Sequence, residues 1–213
     1  MDLVILAVDP VILAAVSIAV VHSLAPDHYL PFTIFGRLKS WGAARTLLFS
    51  GLAGTLHVGT SAVLGVALLA GVDLLGCAEL VEKTASWLLI AFGLIYALVS
   101  LLRRHHHPHS PSLAALLLIL GLSPCIPLVP LILVAESVAA VIASFGVATV
   151  ATILTLTYLS FKAFKPPKAL RGREDFAAGM LVAAVGFATR ILGMRHEGDE
   201  RGGYRRGVLE AQA

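Results

Sequence analysis

Apolar runs of about twenty residues recur along the chain, separated by short polar connections, and few folds accommodate that pattern. A helix of about 20 residues covers a hydrocarbon core roughly 30 Å thick. Inside lipid the backbone N–H and C=O groups of such a run find no water, so the run must satisfy them itself as a helix. Of the 213 residues 58% are hydrophobic and 14% are charged, whereas soluble domains carry roughly 25% charged residues. No length remains for a separate soluble domain. The expected fold is an all-α integral membrane protein of about six transmembrane helices, a single transmembrane domain over 1–194, followed by a mobile charged tail over 195–213.

Taken in order, the first helix is expected over about Pro10 to Ile34, with Asp9 as N-cap and Pro10 at the first helical position, where a missing N–H costs little. Met1 to Asp9 holds two aspartates and no basic residue, so it lacks the positive start of a cleavable signal peptide and the first helix is expected to stay. Pro26 lies well inside this run. It removes a backbone hydrogen bond and clashes with the preceding turn, so the helix should break around Leu24 to Asp27. A connection carrying Arg37, Lys39, Trp41 and Arg45 leads to a second helix over about Thr46 to Val72. An acidic loop, Asp73 to Lys83, precedes a third helix, about Thr84 to Leu102, with Trp87 in its first turn as an interfacial anchor. Arg103 to His109 form a polar loop. The fourth helix, about Leu113 to Ala135, holds Pro124, Pro127 and Pro130 and must also be irregular near its middle. A fifth helix follows over about Val138 to Ser160. The basic connection Lys162 to Asp175 leads to a sixth, about Phe176 to Met194, where Arg190 must snorkel or pair near the end.

Basic residues set the orientation. With the N-terminus outside, the cytoplasmic connections carry 3, 2 and 5 Lys or Arg, and the N-terminus and external loops carry 0, 1 and 0. Leu24-Ala25-Pro26-Asp27 also matches Leu122-Ser123-Pro124-Cys125, 98 residues on. Leu89 to Gly93 likewise resembles Val182 to Gly186. Repeats over about 10–102 and 113–194 would each hold three helices, an odd number, and so would lie inverted in the bilayer. Inverted 3+3 repeats with broken helices 1 and 4 meeting at mid-depth describe many secondary transporters.

Several functions lack any signature. The chain has no Gly-rich phosphate loop, no GxSxG and no HExxH, so an enzyme is not expected. A pI near 9.1 arises mainly from the helix-flanking loops, which orient a membrane protein and offer nothing to nucleic acid. The two cysteines, Cys77 and Cys125, are too few for a disulfide framework, and neither has a zinc-type spacing.

Chemistry concentrates instead in His22-Ser23-Leu24-Ala25-Pro26-Asp27-His28, with His57 on the next helix. These groups fall near mid-depth, His22 lying roughly 18 Å along its helix. Burying Asp27 there costs a few kcal/mol without compensation. Imidazole nitrogens with a carboxylate suit Ni, Co, Zn, Fe or Mn better than Mg or Ca. On a straight helix His22 and His28 would diverge by about 120°, and the Pro26 break can bring them together. His57 alone reads equally well as an interhelical hydrogen-bonding residue. Cys125 is either a soft thiolate ligand or a small buried hydrophobe. His105, His106, His107 and His109 could capture metal or pass it to a cytoplasmic metal chaperone, or form a solvated linker. Glu136 and Arg190 read as helix-end residues.

The HxxxxDH pattern of His22, Asp27 and His28 resembles the signature of the nickel and cobalt transporters, and Leu56 to Ser61 is similar to the histidine motif of their next helix. Ser123-Pro124-Cys125 is similar to the second-half signature of the wider lysine-exporter-like superfamily. That group includes urease-accessory membrane proteins and the thiol-transferring cytochrome c biogenesis proteins. The resemblance implies the six-helix 3+3 plan for nearly the whole chain. It also implies that His22, Asp27 and His28 are metal ligands or their immediate partners, and that His57 is a candidate ligand. Thiol-transfer members carry a cysteine in each repeat, and this chain has Asp27 in the first, which argues against a dithiol relay. The expected function is gradient-driven transport of a divalent transition metal, nickel or cobalt, across a cell membrane, with that ion as substrate and no resident cofactor. A thiol–disulfide electron carrier using Cys125 and a small-anion or organic-solute exporter are the alternatives.

Overall fold

In a computed structural model of the chain, residues 9–72, 74–102, 111–167 and 173–191 are described, and all the regular structure among them is helical. Helix α1 (Pro10–Ser23) starts where Asp9 accepts a hydrogen bond from the Val11 N–H at 2.8 Å. It stops short of Pro26. The Leu24 and Ala25 N–H groups bond back to the Val21 and His22 carbonyls, both at 3.2 Å, a tightening usual at a helix end. A single 3₁₀ turn, Pro26–His28, leads into α2 (Leu30–Leu38). The break thus occupies the position that Pro26 predicts.

Helix α3 (Ala43–Leu69) is followed by α4 (Leu75–Leu102). The segment 73–83, expected as a loop, is therefore helical from Leu75 onward. Alanine, leucine, glutamate and lysine predominate there, all strong helix formers that outweigh the acidic character used to infer a loop. Trp87 consequently lies within α4 rather than in a first turn, and the Arg190 guanidinium sits 5.5 Å from its ring centroid. Helix α5 (Pro111–Gly121) gives way to an irregular stretch holding Pro124 and Pro127, and α6 (Leu128–Leu133) resumes. Helix α7 (Val138–Ala163) begins where the Ser137 hydroxyl accepts from the Ala140 N–H. A last helix, α8, covers 174–191. His105 to His109, the whole of the tail expected over 195–213, and Met194 lie outside the described residues.

Helix α1 packs chiefly against α7, and α3 lies between α7 and α5. Helices α4 and α8 approach closely at Gly93, where a Cβ would come within 2.5 Å of the Gly179 carbonyl and the Ala183 nitrogen. Only glycine permits that backbone separation. At one end of the bundle the Arg37 Nε donates to the Phe164 carbonyl at 2.7 Å, Lys39 pairs with Asp175, and the Tyr96 hydroxyl donates to the same carboxylate at 2.9 Å.

Apolar side chains lie on both sides of the bundle surface. The core is built on residues such as Phe32, Leu116, Leu128 and Phe145, with the hydroxyls of Ser23, Thr33, Thr46, Ser50, Ser61, Thr149 and Thr157 buried among them, whereas Val63 and Val147 are 70% and 71% exposed. Helix α3, residues Thr84–Leu102 of α4, and α7 are each long and apolar enough to cross a membrane. An apolar exterior, with the few buried hydroxyls kept away from it, is what a lipid solvent favours.

Candidate metal centre

Three segments distant in sequence converge at one point. His22 occupies the last turn of α1, His57 lies midway along α3, and Cys125 follows Pro124 in the second break. One donor atom from each lies within 4.8 Å of the other two.

His57 is the best anchored of the three. Its Nδ1–H donates to the Ser123 carbonyl at 2.5 Å. A carbonyl can only accept, so this bond sets the tautomer and leaves the lone pair of the neutral ring on Nε2. That nitrogen lies 3.3 Å from His22 Nε2, which is then the donor. The two rings are within 3° of parallel, with centroids 5.6 Å apart.

His28 completes a cluster of imidazoles. Its ring meets His22 edge-on at a centroid distance of 4.7 Å and His57 at 5.1 Å. Six helical residues would have turned His28 about 120° away from His22, so the proline break creates this contact. The His28 Nδ1–H donates to the Asp27 carboxylate at 2.9 Å. A carboxylate behind a histidine Nδ1 fixes the ring and leaves Nε2 to act as a ligand.

Helix α3 also holds the second break in place. Ser61, one turn beyond His57, donates its hydroxyl to the His57 carbonyl at 2.7 Å and accepts from the Cys125 N–H at 2.6 Å. Thr60 Oγ1 is 2.9 Å from the His57 carbonyl and 3.3 Å from that of Gly121. The buried face of α3 runs through Thr46, Ser50, Gly54, His57, Ser61 and Gly65 at intervals of three or four residues. Small and polar residues at that spacing let neighbouring backbones approach and offer them hydrogen bonds.

Of the expected site residues, His22, His57 and Cys125 come together as donors, His28 packs against the two imidazoles, and Asp27 is turned onto His28. Cys125 is fully buried and Cys77 exposed. Two contributors escaped the sequence reading. Ser61 had a signal, its place four residues after His57 on the same face of the helix. The Ser123 carbonyl had none, because a backbone acceptor leaves no mark on residue type. Comparisons with family models, curated proteins and solved structures gave no match. The geometry of this chain has to carry its functional reading.

Proposed function

We propose that the protein is a secondary transporter that moves a divalent transition-metal cation of the nickel and cobalt class across a cell membrane. The observation that carries this reading is the meeting of His22, His57 and Cys125 donor atoms within 4.8 Å. His28 stands beside them and Asp27 orients it. Imidazole and thiolate are borderline and soft donors that favour such ions over magnesium or calcium. The cation is substrate, held at mid-depth between two broken helices.

Two features support six spans arranged as inverted repeats. The order helix, proline break, short helix, long helix, helix occurs once in α1 to α4 and again in α5 to α8. Equivalent helices also meet antiparallel. Along α3 and α7, Gly51 faces Leu154, Gly54 faces Ile153 and Val58 faces Gly146; along α4 and α8, Ile90 faces Gly186 and Ala97 faces Gly179. Antiparallel equivalents are what an axis in the membrane plane requires. The first basic connection meets the last through Arg37 and Lys39, which fits both lying in the cytoplasm with the N-terminus outside. Rocking of one repeat against the other would then expose the site to each side in turn, driven by an ion or substrate gradient.

A thiol relay through Cys125 would need a second thiol within reach, and the other cysteine, Cys77, is exposed on α4. In proteoliposomes loaded with a metal-sensitive dye, the wild-type protein should carry Co²⁺ or Ni²⁺. His22→Ala should lower the flux about 100-fold, and Asp27→Asn should lower it about 10-fold or more through loss of the carboxylate behind His28. Unchanged flux in both variants overturns the reading.

A further inference from the structure

The donor set also bears on which ions bind. We infer that the site is a tetrahedral one in which His22 Nε2, His57 Nε2 and the Cys125 thiolate are ligands, and that it takes Zn²⁺ and Co²⁺ in preference to Ni²⁺. This rests on the metal-transport reading, keeps cobalt as substrate, and sets zinc in the place of nickel beside it.

The first reason is the donor set. Imidazole and thiolate ligands hold zinc almost always in tetrahedral sites, with nitrogen about 2.0–2.1 Å and sulfur about 2.3 Å from the ion. The three donor atoms lie within 4.8 Å of one another, and His22 Nε2 and His57 Nε2 are 3.3 Å apart, so the group has to tighten around an ion mainly on the sulfur side. An ion between the two nitrogens takes the place of the hydrogen they share, and His22 binds it as the tautomer protonated on Nδ1.

The second reason is rigidity on the sulfur side. The backbone N–H of Cys125 is held by Ser61 at 2.6 Å, and the carbonyl of Ser123, two residues earlier, by His57 at 2.5 Å. One helix therefore fixes both the imidazole and the segment that carries the thiol. Cys125 has no exposed surface. A thiol so placed meets a cation only inside the protein, and its proton leaves as the ion enters. The His28 ring packs against both other imidazoles, and the fourth position is open to it or to water.

Preference for Co²⁺ over Ni²⁺ is a demanding outcome, because raw affinity at nitrogen and sulfur donors runs the other way. Only an imposed geometry reverses that order. Thiolate ligation selects further for zinc and cobalt over harder ions.

Co²⁺ serves as the probe, titrated into the purified full-length protein in detergent. Expected are the strong visible bands of a tetrahedral ion and a near-ultraviolet sulfur-to-cobalt charge-transfer band. Both should persist in Cys77→Ser. In Cys125→Ser the charge-transfer band should vanish and Co²⁺ affinity should fall about 100-fold. Zn²⁺ should displace bound Co²⁺ and equimolar Ni²⁺ should not. The weak spectrum of an octahedral ion, loss of the charge-transfer band in Cys77→Ser, or displacement by Ni²⁺ overturns the inference. The chain has two cysteines, so Cys77→Ser assigns the sulfur even where Cys125→Ser fails to fold. Flux without the charge-transfer band would sink this inference and leave the transport reading standing. The band without flux would do the reverse.

Discussion

The break between Ser23 and Leu30 offers its chemistry on side chains, with His22 just before it and Asp27 and His28 within the 3₁₀ turn. The break between Gly121 and Leu128 works largely through backbone: the Ser123 carbonyl accepts from His57 and the Cys125 N–H donates to Ser61. Its one donor side chain toward the cluster is the Cys125 thiol. Similar proline interruptions have thus been furnished in opposite ways. The first is held by its own residues, through turn bonds and the Asp27–His28 pair. The second has turn bonds too, from the Leu128 N–H to the Cys125 carbonyl at 3.2 Å and from the Val129 N–H to the Ile126 carbonyl at 2.9 Å, and α3 holds it from outside as well. A bilayer interior makes the distinction consequential, because each freed backbone group needs a partner within the protein.

Removing the residue that touches both breaks should have the largest effect. His57→Ala deletes the contact with His22 and leaves the Ser123 carbonyl without its donor. Loss of a bridging ligand should lower metal flux by about 100-fold or more, since even an outer partner of a ligand is worth 10- to 100-fold. Flux in proteoliposomes and Co²⁺ titration should fall together. Flux within about threefold of wild type would mean that the breaks operate without α3.

The contrast between the breaks also explains how much the chain discloses before it is folded. Pro26 and Pro124 mark both interruptions, because proline cannot donate the bond that a continuous helix needs. His22, Asp27 and His28 declare themselves by being polar in an apolar run. Their convergence is harder to read, since His22 and His28 meet through the 3₁₀ turn and not through helical periodicity. The segment 73–83 misleads because its acidic residues suggest a loop while its alanine, leucine, glutamate and lysine favour the helix it forms from Leu75 onward. The part of the site least visible in residue types is the second break. Its contacts are main-chain groups and the Ser61 hydroxyl, and serine within a helix ordinarily bonds back to its own backbone.

A smaller effect should follow from Ser61→Ala, which leaves the fully buried Cys125 N–H without its acceptor. An unsatisfied buried donor costs about 1–3 kcal/mol. Thermal unfolding in detergent should shift down accordingly, and bound Zn²⁺ should recover part of the loss because an ion that binds only the folded protein stabilises it. No shift in the melting temperature would show that the second break holds itself, as the first does, and would remove the asymmetry.

The smallest effect should come from Pro124→Ala. Proline at a position whose backbone it fits stabilises by restricting the unfolded chain, so its removal should cost about 0.4–1 kcal/mol. The break itself should survive. Ser61 still holds the Cys125 N–H, His57 still holds the Ser123 carbonyl, and Thr60 still reaches the carbonyl of Gly121, while Pro127 follows three residues later. Helix α5 cannot run on through that stretch without giving up all three contacts, and one restored N–H is a small return for them. The charge-transfer band of bound Co²⁺ should therefore keep its position in the variant, and flux should stay within about twofold of wild type. A band that disappears on this single substitution would show that proline, not the grip of α3, places Cys125, and the two breaks would then be built on one principle after all.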